Sequence, residues 1–397
     1  MRPVSNSPLL SCLVAFALWA ALAAAWAAPF TPSADDQVLE RVPARASDPA
    51  ARKLLALRQA WLTRPQDLDT ATRLAQRYFD EVGATGDPRF VGYAQAVLSP
   101  WWAQPAPPPA VRVLRAMLLQ FDHQFEPALA DLAAALVAEP DNAQAWSWQL
   151  AIQMVRADYG GASTSCARLQ ALVPPLVGAA CQAQVDAATG RAMAATTALR
   201  QALQQADADP AQRLWALTRL AETEERLGHW AEAETAFRQA LALGLPDVYL
   251  RAAMADFLLD RSRPAEVLAL LQGQGRADVL LLRLVLAAQA RKDASVDKLA
   301  SELAARFDAA RQRGDTSHRK EEARFLLAVR ADVPGALKLA RENWAEQREP
   351  ADARVLLQAA LAARDRAAAE PVLQWLAASG MESVALRDLA AQLQGAR

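Results

Sequence analysis

The chain has 397 residues, 53% of them hydrophobic, with 43 Lys and Arg against 44 Asp and Glu and a formal net charge of −1. So even a balance gives no electrostatic hold on nucleic acid or on an anionic membrane surface. Alanine and leucine dominate the apolar residues, β-branched residues are few and there are only 15 glycines, which favours helix throughout and argues against a sheet.

The N-terminus reads as an export signal. "MRPVSNSP" carries Arg2 as its one charge, residues 9–28 are almost unbroken apolar chain, and Ala25-Trp26-Ala27 sets small residues at a cleavage site. Cleavage is expected after Ala27, delivering the chain to a disulfide-permitting compartment, the periplasm of a Gram-negative bacterium. Residues 28–47 would form a flexible mature N-terminus. An uncleaved anchor is the alternative, because residues 9–28 are long enough to span a bilayer. A lipoprotein site at Cys12 is weaker, since "LLSC" precedes most of the apolar run.

Residues 48–108 predict degenerate helical hairpins, with "LDTATRLAQRYFDEV" and "GDPRFVGYAQAVL" showing helical apolar spacing. "LSPWWAQPAPPPA" (98–110) holds five prolines and predicts an extended connector. Trp101 and Trp102 are expected to plug a seam between hairpins, with an exposed partner contact as the alternative.

Residues 109–273 contain a repeat. Phe125 and Trp230 each sit in a short turn, followed by Ala128 and Ala233, then Leu132 and Phe237, then Ala135 and Ala240, at the same offsets. Tyr159, Ala162, Cys166 and Leu169 fit the same frame, with Tyr159 lying 34 residues after Phe125. A weaker copy carries Ala195, Leu199 and Ala202. Small residues at these offsets let two antiparallel helices approach, and no single hairpin buries its apolar face alone, so several must stack. His229, in the turn before Trp230, is then scaffold.

Cys166 and Cys181 remain after signal cleavage and flank Pro174-Pro175, which should end one helix and start the next. The pair lies symmetrically about that turn, and a disulfide is favoured over two buried thiols. Beyond 273, helices are expected at 277–291, 295–313, 317–331 and 334–348, and residues 274–397 form degenerate repeats and a cap.

No nucleophile elbow, zinc-helix, P-loop or dinucleotide motif is present, and His123, His229 and His318 are scattered. The expectation is a protein that is not an enzyme and uses no cofactor or metal.

The small–aromatic–bulky pattern, closed by Pro140 and near Pro246, resembles the tetratricopeptide repeat family over about 109–273. That resemblance implies an all-α, right-handed superhelical solenoid of antiparallel helix hairpins, roughly eight to ten by length over the repeat period. It further implies a concave groove lined by first helices that binds a protein or peptide partner. Carried over, the groove candidates are Val113, Met117, Gln120, Phe121, Gln144, Ser147, Met154, Trp215, Thr218, Glu222, Glu225 and Arg226. For Trp215, burial against the preceding hairpin stands equally. A purely architectural subunit of an envelope complex is the alternative function.

Overall fold

The computed structural model describes residues 49–205 and 208–395. The chain divides into a unit of residues 1–53, described only for the opening of the first helix, and a unit of residues 54–397 that carries everything below. The signal, the apolar run at 9–28 and the segment 28–47 lie outside the described residues. No described helix is long and apolar enough to cross a membrane.

Twenty α-helices and no strands occur among the described residues. A lone helix α1 (Pro49–Thr63) precedes hairpin 1, α2 (Leu68–Thr85) with α3 (Arg89–Trp102). Hairpins 2 to 4 are α4 (Pro109–Phe121) with α5 (Phe125–Ala138), α6 (Ala143–Val155) with α7 (Tyr159–Gln170), and α8 (Pro175–Ala188) with α9 (Ala192–Gln205). Hairpins 5 to 7 are α10 (Pro210–Leu227) with α11 (Trp230–Ala242), α12 (Val248–Asp260) with α13 (Pro264–Leu270), and α14 (Asp278–Arg291) with α15 (Val296–Gln312). Hairpins 8 and 9 are α16 (Arg319–Phe325) with α17 (Val333–Glu346) and α18 (Pro350–Ala363) with α19 (Arg366–Ser379), and α20 (Val384–Gly395) ends the chain. Nine hairpins thus stack as a right-handed superhelical solenoid.

The repeated offsets are the core. Ala128, Leu132 and Ala135 are fully buried, as are Ala233, Phe237 and Ala240, and Ala162 and Cys166 with them. The matching small residues of the first helices, Ala116, Ala221 and Ala255, are fully buried too, where each hairpin's two helices come closest. Helix starts follow local chemistry: Asn142, Asp158, Asp209 and Asp247 each accept a backbone N–H from the first turn of the helix they cap.

Two expected boundaries shift. The connector does not begin at residue 98: α3 runs on to Trp102 with Pro100 inside its last turn, and only 103–108 are non-helical. A proline so near a helix end forfeits one intrahelical bond and leaves few residues beyond it to be disrupted. Trp101 and Trp102 are half-buried against the N-terminal core, and the Arg115 guanidinium lies 6.0 Å over the Trp102 ring. The expected helix at 317–331 is two pieces, α16 and a π-helical turn (Leu326–Arg330), which stops at Ala331 in the left-handed region.

The solenoid closes on itself. One core cluster joins Leu150, Cys166, Cys181 and Val185 of hairpins 3 and 4 to Trp344, Leu356, Val372 and Leu393 of hairpins 8 and 9 and α20. Arg348 donates its backbone N–H to the Val155 carbonyl at 2.7 Å, and the Trp375 indole donates to the Tyr159 hydroxyl at 3.1 Å. Gly190 and Gly380, both at positive φ, meet backbone to backbone; a Cβ on Gly190 would stand 3.2 Å from the Gly380 carbonyl oxygen. At the other end of the closure, a Cβ on Gly86 would lie 2.5 Å from the Cβ of Ala277. A disulfide between Cys166 and Cys181, Cα atoms 5.9 Å apart, staples α7 to α8.

His229 sits at the N-cap of α11 with Nδ1 2.7 Å from Glu224 Oε2. Glu224 is fully buried and also meets Arg200 at 2.5 Å, so this trio ties α9, α10 and α11 together.

Candidate ligand-binding cavity

Closure shapes a cavity of about 1970 Å³ that remains open to solvent on one side. Much of its charged wall comes from the first helices of hairpins 5 to 9, in which residues three, four and seven apart share a face. α10 contributes Arg219, Glu222, Glu225 and Arg226; α12 contributes Tyr249, Asp256 and Asp260; α14 contributes Arg283. Lys320, Glu321 and Arg324 come from α16, and Arg354 and Gln358 from α18. The N-terminal side adds Phe79, Val82, Phe121 and His123.

Ion pairs cross this space. Asp256 meets Arg283 at 2.5 Å and Arg324 at 2.7 Å, drawing hairpins 6, 7 and 8 together. Asp260 receives both Nη atoms of Arg354 from hairpin 9. Glu222 accepts from the Tyr249 hydroxyl at 2.5 Å and meets Arg219 at 3.1 Å, while the Arg219 guanidinium lies 4.7 Å over the Tyr249 ring. Lys320 lies 3.5 Å from the fully buried carboxylate of Asp352, which also accepts from Asn343 at 2.9 Å.

The protonation states follow these contacts. Burial alone would raise the Asp256 carboxyl, but Arg283 and Arg324 hold it far below the usual range. Burial would likewise lower the Lys320 ammonium, yet Asp352 and Glu321 push it above its ordinary value. Glu225 is different. Burial, then the charges of Asp260, Glu222 and Asp256, push it up to about 8, with Arg354 opposing. At neutral pH it is a carboxylic acid able to donate a hydrogen bond. Arg226 beside it is lowered, chiefly by burial; its Nη atoms reach the Ala187 carbonyl, Met381 Sδ and Thr223, and no carboxylate.

Six of the twelve groove candidates line the cavity: Gln120, Phe121, Met154, Glu222, Glu225 and Arg226. The other six lie elsewhere. Val113 and Met117 are 1% exposed within the N-terminal core, and Thr218, 2% exposed, donates to the Leu214 carbonyl. Gln144 is exposed and donates to Gln76 of α2, and Ser147 donates to the Ala143 carbonyl. Trp215 is wedged between two core clusters. The front of α4 is buried by its neighbours in hairpins 1 to 3, and Trp215 on α10 sits where the middle core meets the cluster that closes the solenoid. Tyr249, Asp256, Asp260, Arg283, Lys320, Arg324 and Arg354 were not among the candidates. A signal for two existed: Asp256 and Asp260 stand 34 residues after Glu222 and Arg226.

No family model and no curated protein matches this chain. Among solved structures it is similar to the APC/C hetero-tetramer Cut9–Hcn1 (13% identity, TM-score 0.49, covering 83% of this chain). It spans 63% of that chain, just under two thirds. It is also similar to the human IFIT1 dimer with m7Gppp-AAAA (12% identity, TM-score 0.46, covering 87% and 86% of the two chains). The yeast Tom70 structure compares at 10% identity and a TM-score of 0.41, covering 88% and 85%. Likenesses at this level are likenesses of helical stacking, and nothing about a ligand passes from them to this chain. On its own geometry, the chain is a tetratricopeptide-like solenoid whose first helices surround a charged cavity.

Proposed function

We propose that this is an exported scaffold that binds a segment of a partner protein, or an extended peptide, in the cavity inside its superhelix, within the cell envelope. The observation that carries the reading is the cavity itself. At about 1970 Å³ it exceeds the roughly 300–1,000 Å³ of ordinary small-molecule pockets, and its wall alternates apolar surface with charged groups. Export rests on the N-terminal sequence and accords with the Cys166–Cys181 disulfide, a bond typical of oxidising compartments.

A second reading, a purely architectural subunit, is favoured by the ion pairs that already bridge the cavity, Arg354 to Asp260 and Arg324 to Asp256. One comparison separates the two. A tagged chain and its E222A/R226A variant are recovered from their native cells after crosslinking, with helicity checked by circular dichroism. Cavity binding predicts loss of the partner with the fold intact; an undiminished partner yield supports the architectural reading instead.

A further inference from the structure

Four carboxylates face one another on α10 and α12: Glu222, Glu225, Asp256 and Asp260. Three are matched. Glu222 has Arg219 and the Tyr249 hydroxyl, Asp256 has Arg283 and Arg324, and Asp260 has both Nη atoms of Arg354. Among the described residues Glu225 has no side-chain hydrogen bond and no ion pair, although it lines the cavity and is partly buried. The charges that bear on it are Glu222 on its own helix, Asp256 and Asp260 on α12, and Arg354 on α18, whose guanidinium is committed to Asp260. Each of the other three carboxylates is met by at least one arginine, and Glu225 alone is left without a cation of its own.

We infer that Glu225 is the seat of a cationic side chain, the ammonium of a lysine or the guanidinium of an arginine, carried by the peptide segment that enters the cavity. The inference rests on the peptide reading above and gives it a chemistry. A carboxylate with no donors of its own is a strong partner for such a group, because the hydrogen bond is charge-assisted. The proton is accounted for. Without a ligand Glu225 holds its proton to about pH 8; the arriving cation replaces it, and the proton leaves to solvent. Binding at neutral pH therefore releases about one proton per peptide. Arg226, without a carboxylate of its own, faces the same space and is placed to receive a backbone carbonyl or carboxylate of that segment.

The experiment is selection of binders to the full chain from a random decapeptide display library. The best binder is then measured by calorimetry in buffers of differing ionisation enthalpy. The expected result is a lysine or arginine common to the selected peptides. Replacing it with norleucine or citrulline should weaken binding roughly tenfold or more to the wild type, but less than about twofold to E225Q. Wild-type binding at pH 7 should release about one proton per peptide, and E225Q none. Selected peptides with no common basic residue overturn this inference while leaving the peptide reading intact, as does an equal loss in E225Q. Failure to select any peptide overturns both. The proton count on the wild type decides the matter even should E225Q fold poorly.

Discussion

Arg354 places both of its Nη atoms on Asp260, at 2.5 and 2.7 Å, and so joins the ninth hairpin to the sixth across the cavity. The two residues are 94 positions apart, and the pair exists only because the superhelix has closed. Both side chains keep part of their surface open, 32% and 23%, so solvent screening tempers the interaction. R354A is expected to lower the unfolding free energy by about 1–3 kcal/mol, within the range for hydrogen-bonded charges of intermediate exposure. A double-mutant cycle with D260A in urea should recover most of that as coupling energy. Additive losses would mean that the pair does not help hold the closure.

The Glu225 carboxyl gives stability a pH dependence of definite sign. Its value is about 8 in the fold against 4.5 ordinarily, so the folded state binds its proton more tightly than the unfolded chain. That contribution is complete below pH 4.5 and is lost as pH rises through 8. Across the window each pH unit costs up to ~1.4 kcal/mol. E225Q should flatten this slope and be more stable than the wild type above the window. Denaturation midpoints across the range check it, and parallel curves for the two proteins would contradict it.

The disulfide closes a separation of 15 residues between two fully buried sulfurs. Loop-closure entropy puts its worth at roughly 3 kcal/mol. A reducing agent should lower the thermal midpoint of the wild type and leave that of the C166A/C181A variant where it already stands. A reductant effect of equal size on both proteins would contradict the bridge.

Two glycines at positive φ separate backbone strain from crowding. A methyl added at Gly244 would meet nothing within 4 Å, whereas the same methyl on Gly86 would overlap the Ala277 side chain. G244A is expected to cost about 1 kcal/mol, the left-handed penalty alone. G86A should cost about 1–3 kcal/mol more, because overpacking adds to it. It should also speed amide exchange near Val248 and Ala277, where hairpin 1 meets the middle of the solenoid. Equal costs for the two variants would argue against that contact.

Much of the fold was legible because the repeat is written in residues that have one job. Ala128, Leu132, Phe237 and Ala240 are spaced for close helix packing, and each is buried as that spacing demands. The register of the cysteines about Pro174-Pro175 carried the disulfide for the same reason. The cavity was harder to read, since it arises between hairpins remote in sequence. Local periodicity tells which face of α4 or α10 is apolar, but not that the adjoining hairpins cover the front of it as well as the back. Val113, Met117 and Thr218 were therefore expected at a groove and lie in the core. Asp256 and Asp260 were within reach of the 34-residue register that links them to Glu222 and Arg226. Their partners Arg283, Arg324 and Arg354 lie in stretches where that register fades.

Whether a partner segment occupies the cavity is tested most directly by site-specific photo-crosslinking in the native cell. One photoreactive residue replaces Gln358 on the cavity wall; another replaces Val137 on α5, 86% exposed and outside the cavity lining. The account predicts a discrete crosslinked partner from position 358 and none from position 137. A partner captured only from position 137 would contradict it, and would mean that the solenoid works through its outer face with its interior serving only to hold it closed.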